Sequence, residues 1–148
     1  MKLATVLWLA QLLPQPYADQ ACLATTVYLE ARNQSELGQR AVAEVALRRL
    51  DSGRWGSTLC GVVPAPRQFA PTLLPPEYEI RNLKAWNRAV AVALRARSEW
   101  NLPWATRRFV VPGAGHFVVK AQATPDGAQG TPVATSGDHT FYQVASRL

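Results

Sequence analysis

The chain has 148 residues, 48% of them apolar and only 18% charged, with five Trp, four Tyr and four Phe. That size and composition suit one folded domain and exclude a disordered chain. Sixteen Lys+Arg against ten Asp+Glu leave a net charge of +6. Such a charge favours an anionic partner without selecting nucleic acid, anionic lipid or bacterial wall. The basic residues are scattered, with no basic stripe and no nucleic-acid module, which argues against nucleic acid.

Residues 1–18 form an apolar N-terminal segment. Lys2 is followed by a mostly apolar run from Leu3 to Leu13, and Pro14 breaks it. A positive end before a short apolar stretch reads as an export signal. It reads equally as a first helix with Trp8 and the leucines facing inward. The run is too short for an ordinary membrane span, although transient membrane association through it is open.

Residues 19–148 read as one domain. Asp19 is a candidate N-cap for a helix from Ala21 to Arg32, whose apolar face carries Leu23, Ala24, Val27, Tyr28 and Ala31. Glu30 lies on the shoulder of that face, and Asn33 can end the helix. Ser35 caps a second helix from Glu36 to about Leu50. Leu37, Ala41, Val42, Val45, Ala46 and Leu50 form its apolar side, and Arg40, Glu44 and Arg48 its polar side. Asp51-Ser52-Gly53 stops it. Pro64, Pro66, Pro71, Pro75 and Pro76 exclude a long regular element from Val63 to Glu79, and a loop of that length is usually functional. A third helix runs from Asn82 to Arg97, with Leu83, Trp86, Val90, Ala93 and Leu94 on its apolar face. Beyond it, Phe109–Val111, His116–Val119 and Thr140–Val144 read as short strands, and Thr124 to Gly137 as a loop. The fold class is α+β, mainly helical with a small β region toward the C-terminus.

Two cysteines, Cys22 and Cys60, lack the CxxC spacing of a zinc cluster. They are a candidate disulfide in an oxidising compartment or a pair of buried thiols. No HExxH or GxSxG motif is present, so neither a metal centre nor a cofactor is expected. Glu30 is the outstanding carboxylate, because apolar neighbours favour its neutral form, as a glycosidase acid requires. Gln68, Phe69, His116, His139 and Tyr142 have the chemistry to line a carbohydrate cleft. Each also has an ordinary structural reading, and a histidine in a strand is more often a hydrogen-bonder than a catalyst.

Tyr28, Glu30, Ala31 and Arg32 match the Tyr-x-Glu-Ala-Arg run of a known family. Gly38, Gln39, Ala41, Val42 and Ala43, then Cys60-Gly61-Val62-Val63 and Gln68-Phe69, follow in that family's order. So do Gly113-Ala114-Gly115-His116-Phe117 and Gly137-Asp138-His139-Thr140-Phe141-Tyr142. Over about residues 22 to 144 the chain resembles the cell wall hydrolases that include spore-cortex-lytic enzymes and phage lysins. The resemblance implies a lysozyme-like fold and cleavage of the β-1,4 bond between N-acetylmuramic acid and N-acetylglucosamine in peptidoglycan. It makes Glu30 the catalytic acid and adds Tyr28 to the substrate-binding candidates. It further implies a monomer acting outside the cytoplasm, as a bacterial cell wall hydrolase or a phage endolysin, virion-associated in some cases. One glutamate suffices for a lytic transglycosylase, whereas hydrolysis calls for a second carboxylate, with Glu36 and Asp138 as candidates. The alternative is a non-catalytic wall-binding or assembly protein that keeps the fold. The chain departs from the family at Asn33 (Gly), Arg48 (Asn), Ala70-Pro71 (Ser-Trp), Val118 (a second His) and Asp138 (Asn).

Overall fold

The computed structural model describes residues 1–54, 56–62, 77–119 and 131–143. These form helices α1 (Leu3–Gln11), α2 (Gln15–Ala31), α3 (Glu36–Ser52), α4 (Leu59–Val62) and α5 (Leu83–Trp100), then strands β1 (His116–Val119), β2 (Thr131–Ser136) and β3 (His139–Gln143). The mainly helical α+β class is the one expected.

Helix α2 is central and packs against α1, α3, α4 and α5. Every residue from Cys22 to Tyr28 is buried. A helix surrounded on all sides must satisfy its polar side chains internally. Thr25 and Thr26 do so by donating to the carbonyls of Ala21 and Cys22, at 2.9 and 3.1 Å. Leu23, Val27 and Leu47 are fully buried, each contributing roughly 1.5–3 kcal/mol of transfer free energy.

The start of α2 differs from expectation. Pro14 occupies the N-cap and Pro16 the first turn, where a missing N–H costs nothing. Asp19 is therefore inside the helix rather than capping it. It is buried, and its Oδ1 accepts the Cys60 amide at 3.4 Å. Beside that contact a disulfide joins Cys22 to Cys60 and ties α2 to α4 across 38 residues. Closing a loop of that length stabilises by about 4 kcal/mol in the chain-entropy picture.

The other helix ends follow their capping chemistry. Ser35 Oγ accepts the Gly38 amide at 3.2 Å, and Asn82 Oδ1 accepts the Ala85 amide at 2.9 Å. Gly53 ends α3 at φ 67°. The helix faces hold two surprises. Leu37, Leu83 and Leu94, placed on apolar faces by spacing, are exposed. Glu44, placed on the polar face of α3, is buried. The chain from 107 to 111 crosses that face, and the Glu44 carboxylate accepts the amides of Val110 and Val111. Phe109–Val111 is accordingly not a strand, since a side chain rather than a neighbouring strand takes those amides.

The sheet has the order β1-β3-β2, antiparallel throughout. Strand β2 falls where a loop was expected. Its Thr-Pro-Val-Ala-Thr-Ser sequence alternates weakly, and Pro132 adjoins an irregularity in the register between residues 132 and 134. Proline is tolerated there because β2 is an edge strand. Phe141 of β3 is fully buried against Ala41, Val42 and Val45 of α3.

The N-terminal segment is a helix packed on the body of the protein. Leu3 enters the main core, with Val6 and Leu7 against it. The Leu3 amide donates to the Tyr78 carbonyl at 2.9 Å, and the Ile80 amide to the Met1 carbonyl at 2.7 Å. Only part of the run faces inward. Trp8, Leu9, Leu12 and Leu13 are exposed.

Candidate active site

Glu30 occupies the last turn of α2, beside the buried Ala31 and half-buried itself. Its electrostatic neighbour is Arg49, in the last turn of α3. Arg49 is only 5% exposed. Burial pulls its guanidinium down to about 10, and the Glu30 charge works in the opposite sense. Arg49 therefore remains cationic at neutral pH. Apolar neighbours favour the neutral acid, but an adjacent cation favours the carboxylate. Arg49 stands beside Glu30 in this sense, a neighbour that periodicity alone did not expose.

The two arginines that end α3 grip the segment leading into β1. Arg48 donates to the Ala114 carbonyl, and Arg49 Nε to the Gly115 carbonyl at 2.8 Å. The Arg49 Nη2 lies 3.4 Å from His116 Nδ1. Burial, then the Arg49 charge, holds the His116 imidazole below its usual range. His116 is opposite Tyr142 in the β1–β3 register, with ring centroids 6.3 Å apart. The sheet thus sets His116 and Tyr142 together, and Arg49 connects them to Glu30.

His139 is elsewhere. Along β3 it alternates with Tyr142 and shares the inward face with Phe141. It is 2% exposed, its ring edge-on to Phe117 at 5.2 Å. It is a core histidine rather than a wall of the same cleft. Burial keeps its imidazole below the ordinary value, against the pull of Asp138.

Tyr28 is also more enclosed than a sugar platform would be. The Arg32 guanidinium covers its ring at 5.2 Å, and Trp86 meets it edge-on at 5.7 Å. Gln68 and Phe69 lie outside the described residues. Neither candidate second carboxylate is uncommitted. Glu36 pairs with Arg95 at an exposed site, and Asp138 is hydrogen-bonded to Gln34. Among the described residues no cluster of His, Cys, Asp or Glu could hold a metal.

Arg49 had no role in the sequence reading, yet its position carried a signal. It follows Val42, Val45 and Ala46 at helical spacing, so a cation stands in register with an apolar face.

Comparison with known proteins agrees with this architecture. A family model described as cell wall hydrolase matches residues 33–142. That match begins three residues after Glu30. The chain is 45% identical over 58 residues to a spore cortex-lytic enzyme of Oceanobacillus iheyensis, and the match spans 38% of the chain and 21% of that relative. The chain thus spans about a fifth of the length of the curated relative it matches. The catalytic domain of the Bacillus cereus SleB protein superposes with a TM-score of 0.65 at 28% identity, over 84% of this chain and 88% of that one. The catalytic domain of the germination-specific lytic transglycosylase SleB of Bacillus anthracis gives 0.63 at 26% identity, over 84% and 93%. With the matched segment covering most of its length, the chain belongs to the cell wall hydrolase family and shares the fold of the SleB catalytic domains.

Proposed function

We propose that the protein cleaves peptidoglycan glycan strands at the bond between N-acetylmuramic acid and N-acetylglucosamine, as a lytic transglycosylase with Glu30 as general acid and base. The carrying observation is a half-buried glutamate at the end of a core helix, beside a buried arginine, in a fold shared with lytic transglycosylase catalytic domains. The protonated Glu30 gives its proton to the glycosidic oxygen as the C1–O bond breaks. The muramic C6 hydroxyl then attacks C1 and returns a proton to the carboxylate, closing a 1,6-anhydro ring. One carboxylate serves both halves. The engagement of Glu36 by Arg95 and of Asp138 by Gln34 favours this route over water attack, which calls for a second carboxylate.

Neutral His116 and Tyr142, side by side, are suited to hydrogen-bond sugar hydroxyls and acetamido groups. The protein is read as a monomer acting outside the cytoplasm. Among the described residues no helix is long and apolar enough to cross a membrane. The exposed Trp8, Leu9, Leu12 and Leu13 instead support transient contact of α1 with a membrane surface.

The test is digestion of purified peptidoglycan by wild type and Glu30→Gln, with products read by mass spectrometry. Anhydro ends from wild type and none from Glu30→Gln are expected. Equal release by both would remove Glu30 from the mechanism. Binding without cleavage by wild type would identify a non-catalytic wall-binding protein.

A further inference from the structure

Helix α1 is apolar on both sides. From Leu3 to Leu13 the only polar residues are Thr5 and Gln11, and none is charged. A surface helix ordinarily carries charge on its outer face, and one that is apolar all round is buried or meets lipid. Here one side is buried and the other is not. Leu3 and Ala10 are enclosed, and Val6 and Leu7 on the same side pack against the core. Trp8, Leu9, Leu12 and Leu13 follow the opposite side at helical spacing, 59%, 49%, 66% and 47% exposed. Tyr17, in the first turn of α2, is 67% exposed. A lone exposed leucine, such as Leu37, calls for no partner. Four large apolar side chains on one helix face mark an interaction surface.

Charge and aromatic content select a lipid partner for it. Residues 1–18 contain no Asp or Glu, and Lys2 is exposed at the start of α1. Glu79, opposite Lys2 in a backbone bridge, is engaged by Arg81. Trp8 and Tyr17 each join an apolar body to a polar tip, the combination that settles at the level of lipid headgroups. A cation beside such a face is drawn to anionic headgroups, by about fivefold in affinity per Lys or Arg. A second copy meeting this patch through the same patch would add another Lys2, with no carboxylate from residues 1–18 to answer it.

The geometry decides how the contact is made. The nine residues of α1 rise about 14 Å, less than half of a hydrocarbon core of about 30 Å. The helix is also fastened to the body through its backbone. The Leu3 amide donates to the Tyr78 carbonyl, and the Ile80 amide to the Met1 carbonyl. Withdrawing α1 into lipid would break both bonds and strip Leu3 from the core. We infer that the outer face of α1 is an adsorption surface for anionic lipid bilayers, used while α1 stays docked on the folded domain. Trp8, Leu9, Leu12 and Leu13 enter the boundary between headgroups and acyl chains, and Lys2 meets the headgroups. This specifies the membrane contact proposed above and does not depend on the glycan-cleaving activity.

The experiment is sedimentation of the full chain with vesicles of phosphatidylcholine, alone or mixed with phosphatidylglycerol. Binding should be tighter to the mixed vesicles and should weaken as salt rises. Lys2→Gln should lower affinity for the mixed vesicles about fivefold and leave that for phosphatidylcholine unchanged. Leu12→Asp should lower both at least about tenfold. Its melting temperature should match wild type, because the side chain is already in solvent. Hydrogen exchange of the Leu3 and Ile80 amides should stay slow on the vesicles, and fast exchange there would overturn the docked geometry. Absence of vesicle binding, or binding indifferent to Leu12→Asp, would overturn the surface itself. So would a wild-type dimer that Leu12→Asp separates and that ignores vesicles.

Discussion

Gln34 grips Asp138 with both ends of its amide. Nε2 donates to the Asp138 carboxylate at 3.0 Å, and Oε1 accepts the Asp138 backbone N–H at 3.1 Å. Residue 34, just after α2, thereby holds the tight turn between β2 and β3. Gly137 completes the clasp. It has φ 53°, and a Cβ there would stand 2.0 Å from Gln34 Oε1. Gly137→Ala should therefore destabilise the protein by roughly 1–3 kcal/mol, from the left-handed backbone and the displaced amide together. Asp138→Asn should be close to neutral, because its oxygen still accepts from Gln34. Thermal melts of the two variants check the contrast.

Arg49 acts on the candidate acid through position and charge. It holds Gly115 and touches His116. Arg49→Leu strands the Gly115 carbonyl and removes the cation beside Glu30. On the scale of one lost charge-assisted hydrogen bond, kcat should fall at least about tenfold. Arg49→Lys should restore part of the loss, since it returns the charge without the planar fork. Kinetics on defined glycan strands would show a change in kcat larger than that in KM, and a displaced alkaline limb, where the protonated acid is lost, in the pH profile of Arg49→Leu. A rise in KM alone would assign Arg49 to ground-state binding.

Stability should decline on the acid side of neutrality through the two histidines. Burial keeps the His139 and His116 imidazoles below their ordinary 6.5. The unfolded chain then binds protons at a pH where the folded chain does not. The stability contributed by the neutral rings is complete above about pH 6.5 and is lost as pH falls through their lower folded values. Glu44 works in reverse. Burial raises its carboxyl above 4.5 against its two backbone hydrogen bonds and Arg48. Its contribution is therefore lost as pH rises through that raised value. Melts across pH 5 to 8 should show a slope below 6.5 that His139→Leu reduces. An unchanged slope in His139→Leu would assign the effect to His116.

The parts of this fold legible in the sequence were those set by local chemistry. Ser35, Asn82 and Gly53 mark helix ends because their side chains or backbones satisfy or terminate a helix by themselves. The parts that escaped depend on a distant partner. Glu44 looks like a surface residue until the amides of Val110 and Val111 arrive, 66 and 67 residues later. Strand β2 has little strand character of its own and forms because β3 offers a pairing edge. The same division applies to the site. Glu30 and His116 stood out by motif. The separation of His139 from Tyr142 follows from strand alternation, which becomes decisive only when Phe141 is known to face α3.

Helix α1 is the last element whose role can be decided by substitution. Leu3 is 3% exposed within the main core, whereas Trp8 is 59% exposed. If α1 is part of the folded body, Leu3→Ala should cost about 2–5 kcal/mol, the usual range for a buried leucine. Trp8→Ser should stay within about 0.5 kcal/mol, as surface changes do. Trp8→Ser should nonetheless weaken binding to lipid vesicles if the outer face of α1 meets a membrane. Truncation of residues 1–13 should act like a severe core mutation, since it removes Leu3 and leaves the Tyr78 carbonyl and Ile80 amide without their partners. A truncated protein that melts with wild type would show that α1 docks without contributing stability, and the apolar segment would then be read by its export chemistry alone.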